Sequence, residues 1–383
     1  MYYIITKRSR IRGKGMSYIE EVNNVIRNIK ETNHKAKEEA KKRVDFLAKP
    51  LGSLGKLEDI SIKLAGITGN IKNRIDKKCI MIFSSDNGVV EEGVASSPQY
   101  VTLAQTINFS KGLTGVAVLA KENNTDLIVV DIGVNCEGEI PGALNKKIRK
   151  GTNNIAKGPA MSYEEALKAI YIGIDLVRDV KEKGYDILGV GEMGIGNTTT
   201  SSAVLASLVK CKIDDVVGKG AGLTDEAFIN KKKVIKRAIE INSPNIEDPI
   251  DVIAKVGGFD LAGMVGVYLG AAYYKLPVVI DGFISVVAAL VATKLCDSVK
   301  DYLIPSHMSK EIGYNIAINN MGLEPMLNLD MRLGEGSGCP IAFSVINYAC
   351  AMMNNMATFE EAEIDPSYLD KIKDKKNYIV NKD

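Results

Sequence analysis

Tryptophan is absent from the 383 residues, and aromatic side chains make up only 6%. That scarcity removes the stacking platforms on which single-stranded nucleic acid is usually held. Histidine occurs twice, at His34 and His307, so a zinc centre built on several imidazoles is excluded. The six cysteines stand singly at 79, 136, 211, 296, 339 and 350, without a C-x-x-C pair. They read as thiols of a reducing compartment, and a cytoplasmic protein is expected. A strong charge of either sign is also missing. The net charge is +2, and Lys7, Arg8, Arg10, Arg12 and Lys14 all fall within the first fifteen residues. The remainder is slightly acidic and is not expected to bind a polyanion. Long apolar runs are lacking too: 261–274 is too short to span a bilayer, and 276–292 carries Asp281. Neither nucleic acid nor a membrane is an expected partner.

What remains is an ordinary globular mix, 46% hydrophobic and 25% charged, long enough for two domains or one large domain with appendages. The opening "MYYIITKRSRIRGKG" lacks the apolar centre of a signal peptide. Met16 then begins a helical pattern, "MSYIEEVNNVIRNIKE". Residues 1–15 are expected to be a disordered tail or a misplaced start, with a functional basic arm as the other reading.

Beyond Pro50 and Gly52 the chain alternates short β-branched runs with helical patterns. Candidate strands are 79–84, 126–131, 185–190, 276–280, 302–305 and 326–332. Most are continuous apolar runs, which predicts a sheet covered on both faces. With right-handed crossovers this gives an α/β fold, a doubly wound, mostly parallel Rossmann-like sheet. Ligands bind such sheets beyond the carboxyl ends of the strands. Asp86, Asp131, Glu192, Asp281, Ser306 with His307, and Glu335 follow the six candidates and are expected to gather on one rim.

"GVGEMG" (189–194) follows a strand and precedes a helix, the setting of a dinucleotide fingerprint. It lies mid-chain, however, and Glu192 would face the pyrophosphate. A single phosphate at the start of the following helix fits better. "GKGAGLTDEAFINKKK" (218–233) supplies a second glycine turn, a helix capped by Thr224, and three lysines. Such a run is either a solvated face or carries one lysine that returns to a phosphate near Gly220. "EEGVASSPQYVTLAQTINF" (91–109) reads as a surface loop or as the wall of a site for an uncharged ligand, with Ser97 and Gln105 as hydrogen-bonding groups. The small residues of 257–272 indicate a helix packed closely on the sheet or on a second subunit. "MRLGEGSG" (331–338) is a glycine-rich turn containing a carboxylate, a poor cradle for phosphate. Glu335 therefore suggests a chemical task or a different ligand.

Taken together, "KPLGSLGKLEDI", "SDNGVVEEGVASSPQYVT", "GVGEMGIGNTT", "KVGGFDLAGMVGVYLGAA", "PVVIDGFIS", "YLIPSHMS" and "MRLGEGSG" closely resemble the nicotinate-nucleotide:dimethylbenzimidazole phosphoribosyltransferase family of cobalamin synthesis. The motifs occur in the family's order from about residue 49 to 340. The resemblance implies transfer of the 5-phosphoribosyl group of nicotinate mononucleotide to a nitrogen of 5,6-dimethylbenzimidazole, with inversion. It implies no metal, no redox cofactor and a homodimer, for which helix 261–274 is a candidate surface. Glu335 matches the family's proposed general base, and Glu192 its second acidic residue. Ser97 and Gln105 fall on the base-binding segment, with Leu333 as an apolar wall. Gly194, Gly220, Lys231 and Ser309 fall on phosphate positions, with Asn197 and Thr198 beside them.

The sequence departs from the pattern at Asn87, where family members often carry His, and at Gly196, where Ala is also seen. The expected partition is 1–15 as tail, 16–70 and 346–383 as the two parts of a small helical domain, and 71–345 as the transferase domain. A non-catalytic nucleotide binder and a dehydrogenase remain as other readings, the latter on "GVGEMG" alone.

Overall fold

The computed structural model describes residues 17–371, so the expected tail at 1–15 lies outside the described residues. β1 (Lys78–Ser85) is buried along its whole length, as a strand flanked by neighbours and covered on both faces must be. It pairs in parallel with β2 (Thr125–Gly133) on one side and with β4 (Ile187–Met193) on the other. The two-residue β3 (Leu144–Asn145), not foreseen from the sequence, adds to β2. β5 (Val278–Ile280) and β6 (Leu303–Pro305) extend the sheet beyond β4. All pairings are parallel and the order is β3-β2-β1-β4-β5-β6, so the winding reverses between β1 and β4. This is the doubly wound α/β arrangement that the strand pattern predicts.

Helices Tyr163–Glu182 and Phe259–Tyr274 cross at small residues. A Cβ on Gly266 would collide with the carbonyl oxygen of Ile170, so only glycine permits this approach. Nearly all of helix Phe259–Tyr274 is thereby buried within its own unit. It is packing, not the subunit surface that the resemblance suggested.

The described residues separate into two compact units, one of residues 17–30 with 77–342, the other of 31–76 with 343–371. Helix Tyr18–Asn28 belongs to the first, although the sequence partition placed it in the small domain. Val22 and Val25 are buried, and the Tyr18 ring lies 5.6 Å from that of Tyr171. In the second unit, helices His34–Phe46 and Lys56–Thr68 enclose Ala40, Val44, Leu47, Ala65, Met352 and Met353. The "KPLGSLGKLE" segment folds there into a turn closed by the buried pair Lys49–Glu58, with Nζ and Oε1 2.8 Å apart.

One candidate strand fails. Residues 326–332 make a single bridge, His307 to Leu327, and Asp330 turns the chain with φ 55°. With no neighbour on its outer side and mostly solvated side chains, this segment lacks the pairing a strand needs.

Candidate active site

β4, β5 and β6 end at a cavity of about 360 Å³ within the first unit, a size suited to a small ligand. Glu192, Ser97, Gln105, Gly194, Asn197, Thr198, Gly220, Ser309, Leu333 and Glu335 line it. Lys231 is the exception among the expected residues. It lies just behind the wall, fully buried, with Nζ 2.8 Å from Thr198 Oγ1 and 3.1 Å from the Gly218 carbonyl. Of the polar strand ends, Asp281 and His307 also line the cavity, whereas Asp86, Asp131 and Ser306 do not. β2 lies on the far side of β1, and its Asp131 is engaged by Lys147 at 3.2 Å.

Glu335 sits in an unusual backbone. Gly334, Glu335 and Gly336 have φ of 85°, 64° and 90°, three consecutive left-handed residues. The glutamate adopts this conformation at a cost on the order of 1 kcal/mol or more, which its surroundings must offset. Its side chain is anchored from the opposite wall. Oε2 accepts the Val116 N–H at 3.1 Å, at the first turn of helix Gly115–Glu122, and Oε1 accepts Gln105 Nε2 at 3.4 Å. Asn108 holds the Gln105 carbonyl in turn, at 2.9 Å. Burial raises the Glu335 pKa from its ordinary value, and the N–H groups of Val116 and Gly115 pull it back. The carboxylate is thus partly desolvated and fixed at the cavity wall, as a proton acceptor requires.

The glycines of "GVGEMG" serve this turn. A Cβ on Gly191 would collide with the Glu335 carbonyl, so the motif packs against the glutamate turn and leaves no room there for a pyrophosphate.

Glu192 forms the next layer. Oε1 accepts the Glu335 N–H at 3.4 Å, and Oε2 accepts Asn197 Nδ2. The same amide group donates to Asp260 Oδ2 at 3.0 Å, so Asn197 bridges two buried carboxyls. Burial, reinforced by the Asp260 charge, pushes Glu192 up to about 8. Burial likewise raises Asp260 to about 6 and Asp281 to about 7. Near neutrality Glu192 is therefore mainly protonated while Asp260 carries charge and Asp281 is divided between the two forms, and a cation placed beside them would favour the ionised forms.

Beside these carboxyls the cavity wall has the opposite character. Helices Asn197–Val209 and Phe283–Leu295 both begin there, presenting N–H groups and the positive ends of their dipoles. Ser309 and Gly220 flank them. Burial lowers Lys231 to about 8. Its neighbours Lys232 and Lys233 stay nearer the surface, so the lysine run divides into one inward group and two outward ones. Among the described residues, no group of three or more His, Cys, Asp or Glu is arranged to hold a metal, and no helix is long and apolar enough to cross a membrane.

The model of the phosphoribosyltransferase family DBI_PRT matches residues 29–364. The chain belongs to this family. A nicotinate-nucleotide–dimethylbenzimidazole phosphoribosyltransferase of Clostridium perfringens is 61% identical over 359 residues, covering 94% of this chain and 99% of the relative. One of the same name from Ruminiclostridium cellulolyticum is 54% identical over 340 residues, covering 89% and 97%. The crystal structure of CobT from Thermus thermophilus superposes with a TM-score of 0.83 at 36% identity, covering 87% of this chain and 99% of that one.

Within the phosphoribosyltransferase frame, sequence reasoning missed Asp260 and gave Asp281 no role beyond its place at a strand end. Asp260 carried a signal: it is the only charged residue in the otherwise apolar helix Phe259–Tyr274. A charge in that setting is buried and needs a partner. Asn87 is fully buried against Gly258 and Gly194, and neither side-chain polar atom has a hydrogen-bond partner. The structure gives no physical account of the residue found there.

Proposed function

We propose that this enzyme transfers the 5-phosphoribosyl group of nicotinate mononucleotide to a nitrogen of 5,6-dimethylbenzimidazole, releasing nicotinate and forming α-ribazole 5′-phosphate for cobalamin assembly. The attacking nitrogen forms a bond to the anomeric carbon as the C–N bond to the pyridinium breaks. The bonding pair leaves with nicotinate, which becomes a neutral ring and needs no general acid. Attack from the face opposite the leaving ring gives inversion. The second ring nitrogen of the acceptor then gives its proton to Glu335.

The observation that carries this reading is the Glu335 carboxylate, buried yet held on amide N–H groups at the cavity wall, beside Gln105 and Leu333. A carboxylate so placed can accept a proton from a flat, weakly acidic ring. Glu192, raised by burial, gives its proton to solvent when the cationic nucleotide binds, and its carboxylate then stabilises the positive charge that develops on the ribose. Lys231, Thr198, Gly194, Gly220 and Ser309 supply the phosphate end, with Asn197 setting Glu192. Ser97 and Leu333 contact the acceptor. The reading includes a homodimer, as the resemblance implies, formed through surfaces other than helix Phe259–Tyr274.

Incubation with nicotinate mononucleotide and a panel of benzimidazoles, adenine and phenols, followed by mass spectrometry, tests the reaction. Nicotinate release coupled to a ribazole phosphate is expected. No release with any acceptor would reject the assignment.

A further inference from the structure

The Gly334–Gly338 turn aims the N–H groups of Gly336 and Gly338 at one point, and such a nest attracts an anion. Here the nest also opens the 18-residue helix Gly338–Asn355, whose dipole adds to the attraction. Yet the anion is already built in. Asp281 Oδ2 accepts the Gly336 N–H at 3.0 Å, and Oδ1 accepts the Gly338 N–H at 2.7 Å. The Asp281 side chain is only 3% exposed. Among the described residues its ion-pair partner is His307, whose Nδ1 is 3.9 Å from Oδ1 and 3.0 Å from Ser306 Oγ. Burial lowers the His307 pKa, so the imidazole provides no counter-charge. Asp281 is itself fixed: its N–H donates to Ser285 Oγ at 3.1 Å, and that hydroxyl is 2.6 Å from the Tyr268 hydroxyl.

We infer that Asp281 is a positioning residue of the transferase, a built-in anion that fills the Gly334–Gly338 turn, holds Glu335 in its left-handed backbone, and keeps the substrate's phosphate out of that turn. This rests on the reading of Glu335 as the base. It explains how a glycine-rich turn at a helix start comes to carry a carboxylate. With the Gly336 and Gly338 N–H groups satisfied by Asp281, the turn presents the glutamate side chain to the cavity, and the phosphate is left to the residues beside Lys231. The assignment differs from a purely structural one, because an exogenous anion can replace the missing carboxylate.

The test uses Asp281→Asn, Asp281→Ala and the double variant Asp281→Asn with Glu335→Gln, each in the full chain. Asp281→Asn places an amide NH₂ against one of the turn's N–H groups. Its kcat should fall by about 10- to 100-fold, the scale of a misplaced catalytic group, with KM for nicotinate mononucleotide within about twofold. Asp281→Ala should regain part of its rate in sodium formate, which the wild type should not do, and inorganic phosphate should inhibit it competitively with the acceptor base. Adding Asp281→Asn to Glu335→Gln should cost little more, because one residue acts through the other. Wild-type kcat in Asp281→Asn, or losses that multiply fully in the double variant, would overturn the inference. If Asp281→Ala does not fold, the Asp281→Asn kinetics and the double variant decide alone. Unchanged turnover in Glu335→Gln would remove the base reading, whereas unchanged turnover in Asp281→Asn would remove only the role of Asp281.

Discussion

The Val116 amide nitrogen lies 3.1 Å from Oε2 of Glu335, so the first turn of a helix on one wall of the cavity receives a carboxylate from the other. Two opposed effects meet there. Burial favours the protonated acid, while the amide N–H groups favour the anion. The group can therefore hold a proton briefly and return it.

Glu335→Gln preserves the shape and the contact with Val116 but cannot accept the proton. Turnover should drop by roughly 10²-fold or more, the usual worth of a general base, with nucleotide binding retained. Steady-state kinetics beside nucleotide titration would check both, and a variant as fast as wild type would exclude Glu335 as the base.

The carboxyls of Glu192, Asp281 and Asp260, at about 8, 7 and 6, predict an unusual pH profile for the ligand-free protein. Each binds its proton to a higher pH folded than unfolded, where carboxyls titrate near 4. Between those limits the folded chain holds more protons, so stability declines as pH rises from about 5 to about 8. Lys231 acts oppositely above about 8, because there the unfolded chain binds the extra proton. Thermal melts across this range should show Tm falling, with a shallower slope in Glu192→Gln. A Tm that climbs from pH 5 to 8 would contradict the account.

Lys231 is fully buried, with no acidic side chain in hydrogen-bond contact, so its proton is costly until a phosphate arrives. Lys231→Met, close in shape, should raise KM for nicotinate mononucleotide by roughly 10- to 100-fold, the value of a charge-assisted hydrogen bond, with a smaller change in kcat. An unaltered KM would move the phosphate site elsewhere.

Gly115 opens the helix that receives Glu335. A Cβ there would stand 2.5 Å from Leu333 Cδ2 and 3.2 Å from Glu335 Oε2. Gly115→Ala should therefore displace the acceptor wall and raise KM for the base by about 10-fold, roughly the loss of one well-placed apolar contact. The same change should leave nucleotide KM and Tm nearly unchanged, because alanine is a good helix former. Equal losses toward both substrates would show that the two ends of the cavity are not separable in this way.

Asn197→Ala removes the amide that joins Glu192 to Asp260. Leaving two buried carboxyls without their shared donor should cost about 1–3 kcal/mol of stability. The loss should be greatest above pH 8, where both carry charge. Denaturant unfolding at pH 6 and pH 8.5 would measure the difference, and equal losses at both would mean that the bridge does not depend on charge.

The sequence by itself determined the sheet and the setting of the site. Continuous apolar runs such as 79–84 and 126–131, short and rich in β-branched residues, mark covered strands, and parallel strands place their polar ends on a common edge. The incongruous glutamate in "GEGSG" marked the functional turn, because a carboxylate has no place in a phosphate cradle. Tertiary structure decided the rest. Periodicity could not show that 326–332 has no strand beside it, because pairing is a property of neighbours. Nor could it assign helix Tyr18–Asn28 to the larger unit, since its apolar stripe is compatible with either. It also left open which of Lys231, Lys232 and Lys233 turns inward. Above all, the chain order hides that Asp281, Glu192 and Val116 converge on one turn from three separate segments. Those contacts set the backbone and the proton affinity of Glu335, since hydrogen bonds and burial act through space and not along the chain.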